Sequence, residues 1–115
     1  MQTQINKNTL IAYLDSEIDH HTAERLRVQI DTAYENSSCK HIVFDFSKVG
    51  FMDSSGIGMI IGRYKHAEKR GGKLALAGMS NEMGRLFQIS GLAKIVSRVN
   101  TVDEALQTFA PGGLS

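Results

Sequence analysis

The chain has 115 residues with 42% hydrophobic and 22% charged side chains, a length and composition typical of one domain that buries its own core. Thirteen Lys and Arg residues against twelve Asp and Glu residues give a formal net charge of +1, so no excess field attracts a nucleic-acid backbone. No apolar run approaches the roughly 20 residues of a membrane span, so we expect neither nucleic acid nor a membrane as a direct partner.

The first third of the chain predicts a β-hairpin and then a helix. Apolar residues cluster on either side of Asn6-Lys7-Asn8, as in a hairpin turned by asparagine. The helix that follows has Asp19 or Thr22 as its candidate N-cap and ends at Asn36-Ser37-Ser38. Its apolar face consists of Leu26, Ile30, Ala33 and Tyr34.

The central part of the chain predicts a strand and a second helix. His41-Ile42-Val43-Phe44-Asp45-Phe46 is short, aromatic and β-branched, which is typical of a buried strand. The helix is predicted to begin with Ser54 or Ser55 as its N-cap and to end at Gly71-Gly72. Apolar residues recur along it at helical spacing, namely Ile57, Ile60, Ile61, Tyr64 and Ala67.

Two more strands and two more helices follow. Residues 73–78 and 95–99 read as short strands, and between them Ser80 caps a helix that stops near Ser90-Gly91. Thr101 and Glu104 predict a capping box for the last helix.

This alternation predicts an α/β fold with parallel pairing and right-handed crossovers. The N-terminal hairpin adds an antiparallel edge, so we expect a mixed β-sheet packed with about four α-helices. We expect one domain over residues 1–110 and a short flexible tail over residues 111–115, where Pro111-Gly112-Gly113 ends the order. Cys39 is the single cysteine, and the N-terminus has no basic region leading into an apolar one, so we expect a cytoplasmic protein.

The segment Asp53-Ser54-Ser55-Gly56-Ile57-Gly58 is the most informative part of the chain. Its hydroxyls lie where a helix has unpaired N–H groups and partial positive charge, so the amides could hold a phosphate added there. The alternative is a serine cap that only stabilises the helix, by about 1 kcal/mol relative to alanine. Gly56, Gly58 and Gly62 each disfavour the helix by roughly 0.5–1 kcal/mol, which indicates close approach of either the protein's own sheet or another molecule.

The second half of the same helix is basic. Its cations are Arg63, Lys65, His66, Lys69 and Arg70. Cations suit a helix C-terminus and a solvated face, which is the interpretation we favour. Contact with an acidic partner surface is the alternative.

Enzyme and metal motifs do not match this sequence. Gly56–Gly62 followed by Arg63-Tyr64 lacks the spacing and the lysine of a P-loop, and Gly-x-Ser-x-Gly is absent. His20-His21 has no further ligands at recognisable spacing, so zinc is not predicted. We therefore expect no catalytic residue, no metal and no cofactor.

Two segments carry a resemblance to a known family. Residues 51–64 and the upstream segment Glu17-Ile18-Asp19-His20-His21-Thr22-Ala23 together resemble the STAS family of bacterial anti-sigma factor antagonists, particularly its members in sporulating bacilli. The resemblance extends from the first strand to Phe109. One difference is Ser16, where such proteins usually have glycine.

The resemblance implies a regulator that switches partners. An unmodified antagonist of this kind binds an anti-sigma factor that is also an ATP-dependent serine kinase, and so releases the sigma factor for sporulation transcription. The kinase modifies the second serine, which is Ser55 here, and a serine phosphatase reverses this. We expect a monomer or weak dimer; a STAS scaffold or nucleotide-responsive sensor in a signalling assembly and a small hydrolase using Ser54 or Ser55 are the alternatives.

The resemblance also implies a partner-binding surface. Its residues are Glu17, Asp19, His20, His21, Thr22, Asp53, Ser54, Ser55, Gly56, Ile57 and Gly58. Helix capping and solvation explain Glu17 and Thr22 equally well.

Overall fold

The computed structural model describes residues 1–110, which contain five strands and four α-helices. The strands are β1 (Gln2–Asn6), β2 (Thr9–Tyr13), β3 (His41–Asp45), β4 (Leu74–Ala77) and β5 (Ser97–Val99). The helices are α1 (His20–Glu35), α2 (Ser54–Lys69), α3 (Asn81–Ser90) and α4 (Val102–Phe109), with a 3₁₀ helix at Leu92–Lys94. The tail predicted for residues 111–115 lies outside the described residues.

The strands lie side by side in their order along the chain. β1 pairs antiparallel with β2, whereas β2, β3, β4 and β5 are parallel to their neighbours. The crossovers between the parallel strands contain α1, α2 and α3. The predicted α/β fold, with an antiparallel N-terminal hairpin, parallel remaining strands and four helices, is confirmed.

Both faces of the sheet are covered. The helices α1, α2 and α3 pack on one face, where Ile30, Ile60 and Phe87 meet the inward side chains of the strands. The helix α4 packs on the other face through Ala105. Because successive residues of β3 and β4 point into these two clusters, β4 and the central residues 42–44 of β3 are apolar, as expected for parallel strands buried on both sides.

Two local predictions need correction. In the β1–β2 turn it is Lys7, not an asparagine, that adopts a positive φ, of 54°. The last strand begins at Ser97 rather than at residue 95. The backbone N–H groups of Ile95 and Val96 both donate to the carbonyl oxygen of Leu92, so the 3₁₀ turn uses donors that a longer strand would need.

Arg70 holds the connection between α1 and β3. Its guanidinium lies 4.0 Å from the centroid of the Tyr34 ring, and its Nη1 donates to the carbonyl oxygens of Tyr34, Ser37 and Cys39 at 3.1, 3.2 and 2.9 Å. The solvated face predicted for the basic cluster is therefore wrong for Arg70, because this cation satisfies carbonyl groups in the last turn of α1 and just after it.

His41, at the start of β3, makes a hydrogen bond that depends on its protonation state. Its Nδ1 accepts a hydrogen bond from the backbone N–H of Lys73 at 2.9 Å, and its ring stacks on Phe109 with 4.6 Å between centroids. Burial, and then repulsion from Lys73 and Lys40, lowers the pKa of His41 below its ordinary value of 6.5. The neutral ring is therefore the form that the folded protein favours.

We expect the stability of the protein to fall in mild acid partly through His41. The unfolded chain binds a proton at His41 more readily than the folded chain does, so stability is lost as the pH falls from 6.5 towards the lowered pKa. Urea unfolding near pH 7 and near pH 5 should show a smaller loss in His41→Gln than in the parent. An equal loss in both proteins would rule out this role of His41.

Candidate functional site

Two loops meet at the carboxyl ends of the neighbouring strands β2 and β3. Ile18, in the loop before α1, and Met52, in the loop before α2, form an isolated parallel bridge. The Ile18 N–H donates to the Phe51 carbonyl oxygen at 2.9 Å, and the Asp53 N–H donates to the Ile18 carbonyl oxygen at 3.0 Å. This Ile18–Met52 bridge places the two segments that carry the predicted site residues side by side.

Asp19 is the N-cap of α1, and Thr22 completes a capping box with it. The Asp19 Oδ1 accepts from the Thr22 N–H at 3.0 Å, and the Thr22 Oγ1 accepts from the Asp19 N–H at 2.8 Å. The Thr22 hydroxyl also donates to the Glu17 carbonyl oxygen at 2.7 Å. The hydrogen bond from the Thr22 backbone, followed by that from its side chain, lowers the pKa of Asp19, so the cap stays ionised at neutral pH.

Ser16 fits this loop without strain. Lys7 is the only non-glycine residue between 1 and 110 with a positive φ, so Ser16 has a backbone conformation open to any residue. Serine therefore causes no backbone strain at this position.

Asp53, and not a serine, is the N-cap of α2. Its Oδ1 accepts a hydrogen bond from the backbone N–H of Ser55 at 2.8 Å, and Ser54 is the first helical residue. The N-cap predicted at Ser54 or Ser55 is therefore wrong, because the Asp53 carboxylate already satisfies an amide at this helix end. As a result the cap requires neither serine hydroxyl.

The residues of the predicted partner-binding surface differ in exposure. The exposed ones are Glu17, Asp19, His20, His21, Ser54 and Gly58. The half-buried ones are Thr22, Asp53 and Ser55. Gly56 and Ile57 are buried and support the site from beneath.

The glycines of α2 have different surroundings. A Cβ atom on Gly56 would overlap the Met52 side chain and lie 3.2 Å from the Ile18 Cγ2, so this glycine allows α2 to pack on the Ile18–Met52 bridge. A Cβ atom on Gly58 or on Gly62 would meet nothing within 4 Å. Packing within the protein thus explains Gly56, whereas Gly58 and Gly62 leave the helix surface low and open.

We expect Gly56→Ala and Gly58→Ala to change stability in opposite directions. Gly56→Ala should lose about 1–3 kcal/mol because the added methyl group overpacks the core. Gly58→Ala should gain roughly 0.5–1 kcal/mol from helix propensity, since the methyl group has free space. Urea unfolding of the matched pair measures both values, and a loss in Gly58→Ala as large as that in Gly56→Ala would contradict this account.

A groove of about 390 Å³ runs between α1 and α2, and we call it the interhelical groove. Its lining includes His20, Ala23 and Arg27 from α1 and Ser55, Gly58 and Gly62 from α2. Three residues of the predicted surface, His20 from one segment and Ser55 and Gly58 from the other, therefore share one depression.

Arg63 also lines the interhelical groove, although the sequence predicts it on a solvated face. Only 5% of this residue is exposed, and its Nε lies 2.8 Å from the Asp31 Oδ1 in an ion pair without hydrogen-bond alignment. Its Nη1 has no hydrogen-bond partner among residues 1–110. Burial lowers the pKa of Arg63, and attraction to Asp31 opposes this shift. The solvated-face prediction is therefore wrong for Arg63 as well.

Neither a metal cluster nor a membrane-spanning helix is found among the described residues. Residues 1–110 contain no group of three or more His, Cys, Asp and Glu side chains placed to hold a metal ion. Within the same range, none of the helices has the length and apolar character needed to cross a membrane.

Comparison with known proteins identifies the family. A family model for the STAS domain matches residues 1–105. The chain belongs to the STAS family. This STAS domain is 38% identical over 108 residues to the anti-sigma F factor antagonist of Paenibacillus polymyxa, and the match covers 90% of the chain and 92% of the relative.

Solved structures agree with this assignment. The anti-sigma factor antagonist SpoIIAA in its unphosphorylated form is 32% identical to this STAS domain, with a TM-score of 0.81 over 93% of each chain. The Bacillus cell fate determinant SpoIIAA in the phosphorylated form is 33% identical, with a TM-score of 0.74 over 95% of this chain and 98% of the other. The resemblance is confirmed: this is a STAS-domain anti-sigma factor antagonist, a class of regulators without enzymatic activity.

Proposed function

We propose that this protein binds an anti-sigma factor that is also a serine kinase, releases the sigma factor, and loses its affinity when Ser55 is phosphorylated. The position of the Ser55 hydroxyl carries this proposal. It lies in the first turn of α2, half-buried beside the interhelical groove, and the cap formed by Asp53 leaves it available for modification. SpoIIAA has been solved both with and without phosphorylation, which supports a switch of this kind.

The proposed partner surface consists of the two loops that the Ile18–Met52 bridge joins, together with the starts of α1 and α2. Its exposed groups include the side chains of Asp19, His20 and His21, and Ser54 lies across from them at the start of α2. Gly56 and Ile57 act from beneath, where they hold α2 against the core. A partner that covers both loops reaches Ser55 from the solvent side.

Phosphorylation of Ser55 changes the charge of this surface at one point. It adds about −1.5 to −2 charges and three acceptor oxygens, which takes the formal net charge from +1 to about −1. The dianion lies close to the Asp53 carboxylate and within the surface that a partner must cover, so repulsion and desolvation oppose docking. The amides at the start of α2 make the same charge tolerable in the free protein.

The remaining partners follow from the same proposal. A serine phosphatase that acts on phosphorylated Ser55 restores the binding form. We place the protein in the cytoplasm and in the control of sporulation transcription, which its similarity to an anti-sigma F factor antagonist supports.

The experiment that tests this function uses the purified chain, its cognate anti-sigma factor and ATP. A pull-down from the source cell with Ser55→Ala as bait supplies the partner, and mass spectrometry then maps the modified residue. We expect phosphate on Ser55 and none on the Ser55→Ala control. Phosphate on Ser54 alone, or no complex at all, would refute the assignment.

A further inference from the structure

We propose that the interhelical groove receives an acidic side chain of the anti-sigma factor and that Arg63 is the cation that binds it. This inference rests on the proposed function. It extends the partner surface from the start of α2 to the middle of that helix.

The floor of the groove has room for an incoming side chain. Apart from the adjacent residues and backbone of α2 itself, no atom lies within 4 Å of a Cβ position on Gly58 or Gly62, so the backbone of α2 is uncovered over this stretch. Ala23 and Met59 line the groove beside them and are buried. An aliphatic stem can therefore lie on an apolar floor while its polar end reaches further along α2.

Arg63 provides the charge at this position. The residue is 5% exposed and lines the groove, and its Nη1 donates to no atom of residues 1–110. Its counter-ion is shared, because the same Asp31 Oδ1 also lies 3.2 Å from the Nδ1 of His66. A buried donor without an acceptor is unfavourable. Because Nη1 has almost no accessible surface, the Arg63 side chain turns towards the groove to meet an incoming carboxylate, and the hydrogen bond that it then makes is stronger than that of an exposed arginine.

The net charge of the groove does not by itself select an acid. Glu24 lines it opposite Arg63 and pairs with Arg27, whose Nε donates to the Glu24 Oε2 at 3.1 Å. The cations Arg27 and Arg63 are thus balanced formally by Glu24 and Asp31. Selectivity comes instead from the buried guanidinium group of Arg63, which lacks a full set of acceptors within residues 1–110.

A phosphate on Ser55 cannot be the occupant. Ser55 and Arg63 lie eight residues apart on one helix, a separation of roughly 12 Å at the usual rise of an α-helix. The groove is nevertheless continuous with the proposed partner surface, because Ser55 and His20 also line it. A partner whose active site reaches Ser55 therefore lies over the groove, and its side chains are the ones that can enter.

The first arm of the test fills the groove. Gly62→Leu adds a side chain where a Cβ has free space and raises helix propensity, so the fold is retained. Lys65→Leu adds the same side chain to an exposed position of α2 outside the groove and is the matched control. Titration calorimetry with the cognate anti-sigma factor should show binding at least about 10-fold weaker for Gly62→Leu and within about 2-fold of the parent for Lys65→Leu.

The second arm removes the charge. Arg63→Gln alone would leave Asp31 without its nearest cation, so the variant to use is Asp31→Asn/Arg63→Gln, which retains two polar side chains and no ions. Urea unfolding confirms that it is folded. We expect about 10-fold weaker binding than the parent and a weaker dependence of the dissociation constant on salt.

The possible outcomes distinguish a failure of this inference from a failure of the proposed function on which it rests. If the parent binds and both groove variants bind equally well, the groove inference is wrong and the proposed function stands. Weaker binding by Gly62→Leu alone would mean that the occupant is not acidic, which also overturns the inference. If the parent itself fails to bind the anti-sigma factor, the proposed function and the inference fall together.

Discussion

Ser55→Asp should bind the anti-sigma factor at least about 100-fold more weakly than the parent, because an added charge beside Asp53 opposes docking by several kcal/mol. Ser55→Ala should bind as tightly as the parent and accept no phosphate. The backbone N–H of Ser55, rather than its hydroxyl, makes the capping bond with Asp53, so alanine leaves the start of α2 intact. Calorimetric titration gives the affinities, and incubation with the partner and ATP gives the phosphorylation.

Ser54→Ala is the matched control for this prediction. Ser54 is adjacent and exposed, and it precedes Ser55 in the same helical turn. We expect Ser54→Ala to bind normally and to be phosphorylated normally. If Ser55→Asp bound like the parent while Ser54→Ala lost its phosphorylation, the switch would have to be reassigned to the first serine.

Asp31→Ala should lower the free energy of unfolding by about 2–4 kcal/mol. Asp31 has only 15% of its side chain exposed, and it faces the Nε of Arg63 at 2.8 Å. Its removal leaves Arg63 buried without a counter-ion, and an uncompensated buried charge is strongly destabilising. Because Asp31 is partly exposed, water can reach this position and reduce part of the destabilisation. The expected loss of unfolding free energy is therefore smaller than for a fully enclosed ion pair.

Urea unfolding of three proteins measures this effect. Glu35→Ala changes an exposed acid on the same helix and should stay within about 0.5 kcal/mol of the parent. Asp31→Asn keeps the shape and should lose less than Asp31→Ala. A loss below about 1 kcal/mol in Asp31→Ala would show that the pair between α1 and α2 contributes little to stability.

Hydrophobic periodicity was sufficient to predict most of the fold. The helical spacing of Leu26, Ile30 and Tyr34 correctly predicted the buried face of α1, and Ser80 and Thr101 are the N-caps of α3 and α4 as expected. The capping box predicted for α4 is incomplete, because the Glu104 Oε2 accepts from the N–H of Asn100 and not from that of Thr101. These features depend on residues that are close together in the chain, so the local sequence pattern is enough to predict them. The order of the strands depends on contacts between distant segments, and periodicity left it open.

The interior of the site could not be predicted in the same way. Asp53 and the two serines are equally good N-caps by residue type, and only the three-dimensional hydrogen-bond pattern distinguishes them. Likewise, the position of Arg63 among the cations in the second half of α2 suggests solvent, whereas its actual partner, Asp31, belongs to another helix. A signal was present, since Arg63 follows Met59 by one helical turn and so shares its buried face.

The resemblance, rather than the local pattern, placed the two loops at one surface. Their contact depends on β2 and β3 being adjacent and parallel. The loops that follow these two strands therefore leave the sheet at the same edge. The hydrogen bonds of the Ile18–Met52 bridge then complete the arrangement. No feature of either segment alone indicates that contact.

The Ile18–Met52 bridge also constrains how the sequence can diverge. A residue gained or lost between the end of β2 and Asp19, or between the end of β3 and Asp53, would shift one loop relative to the other and misplace the start of a helix. Homologues that keep both caps should therefore conserve both spacings even where side chains vary. An insertion at either place would identify a homologue whose two loops are arranged differently and whose docking surface therefore differs. A sequence alignment alone can reveal such a homologue.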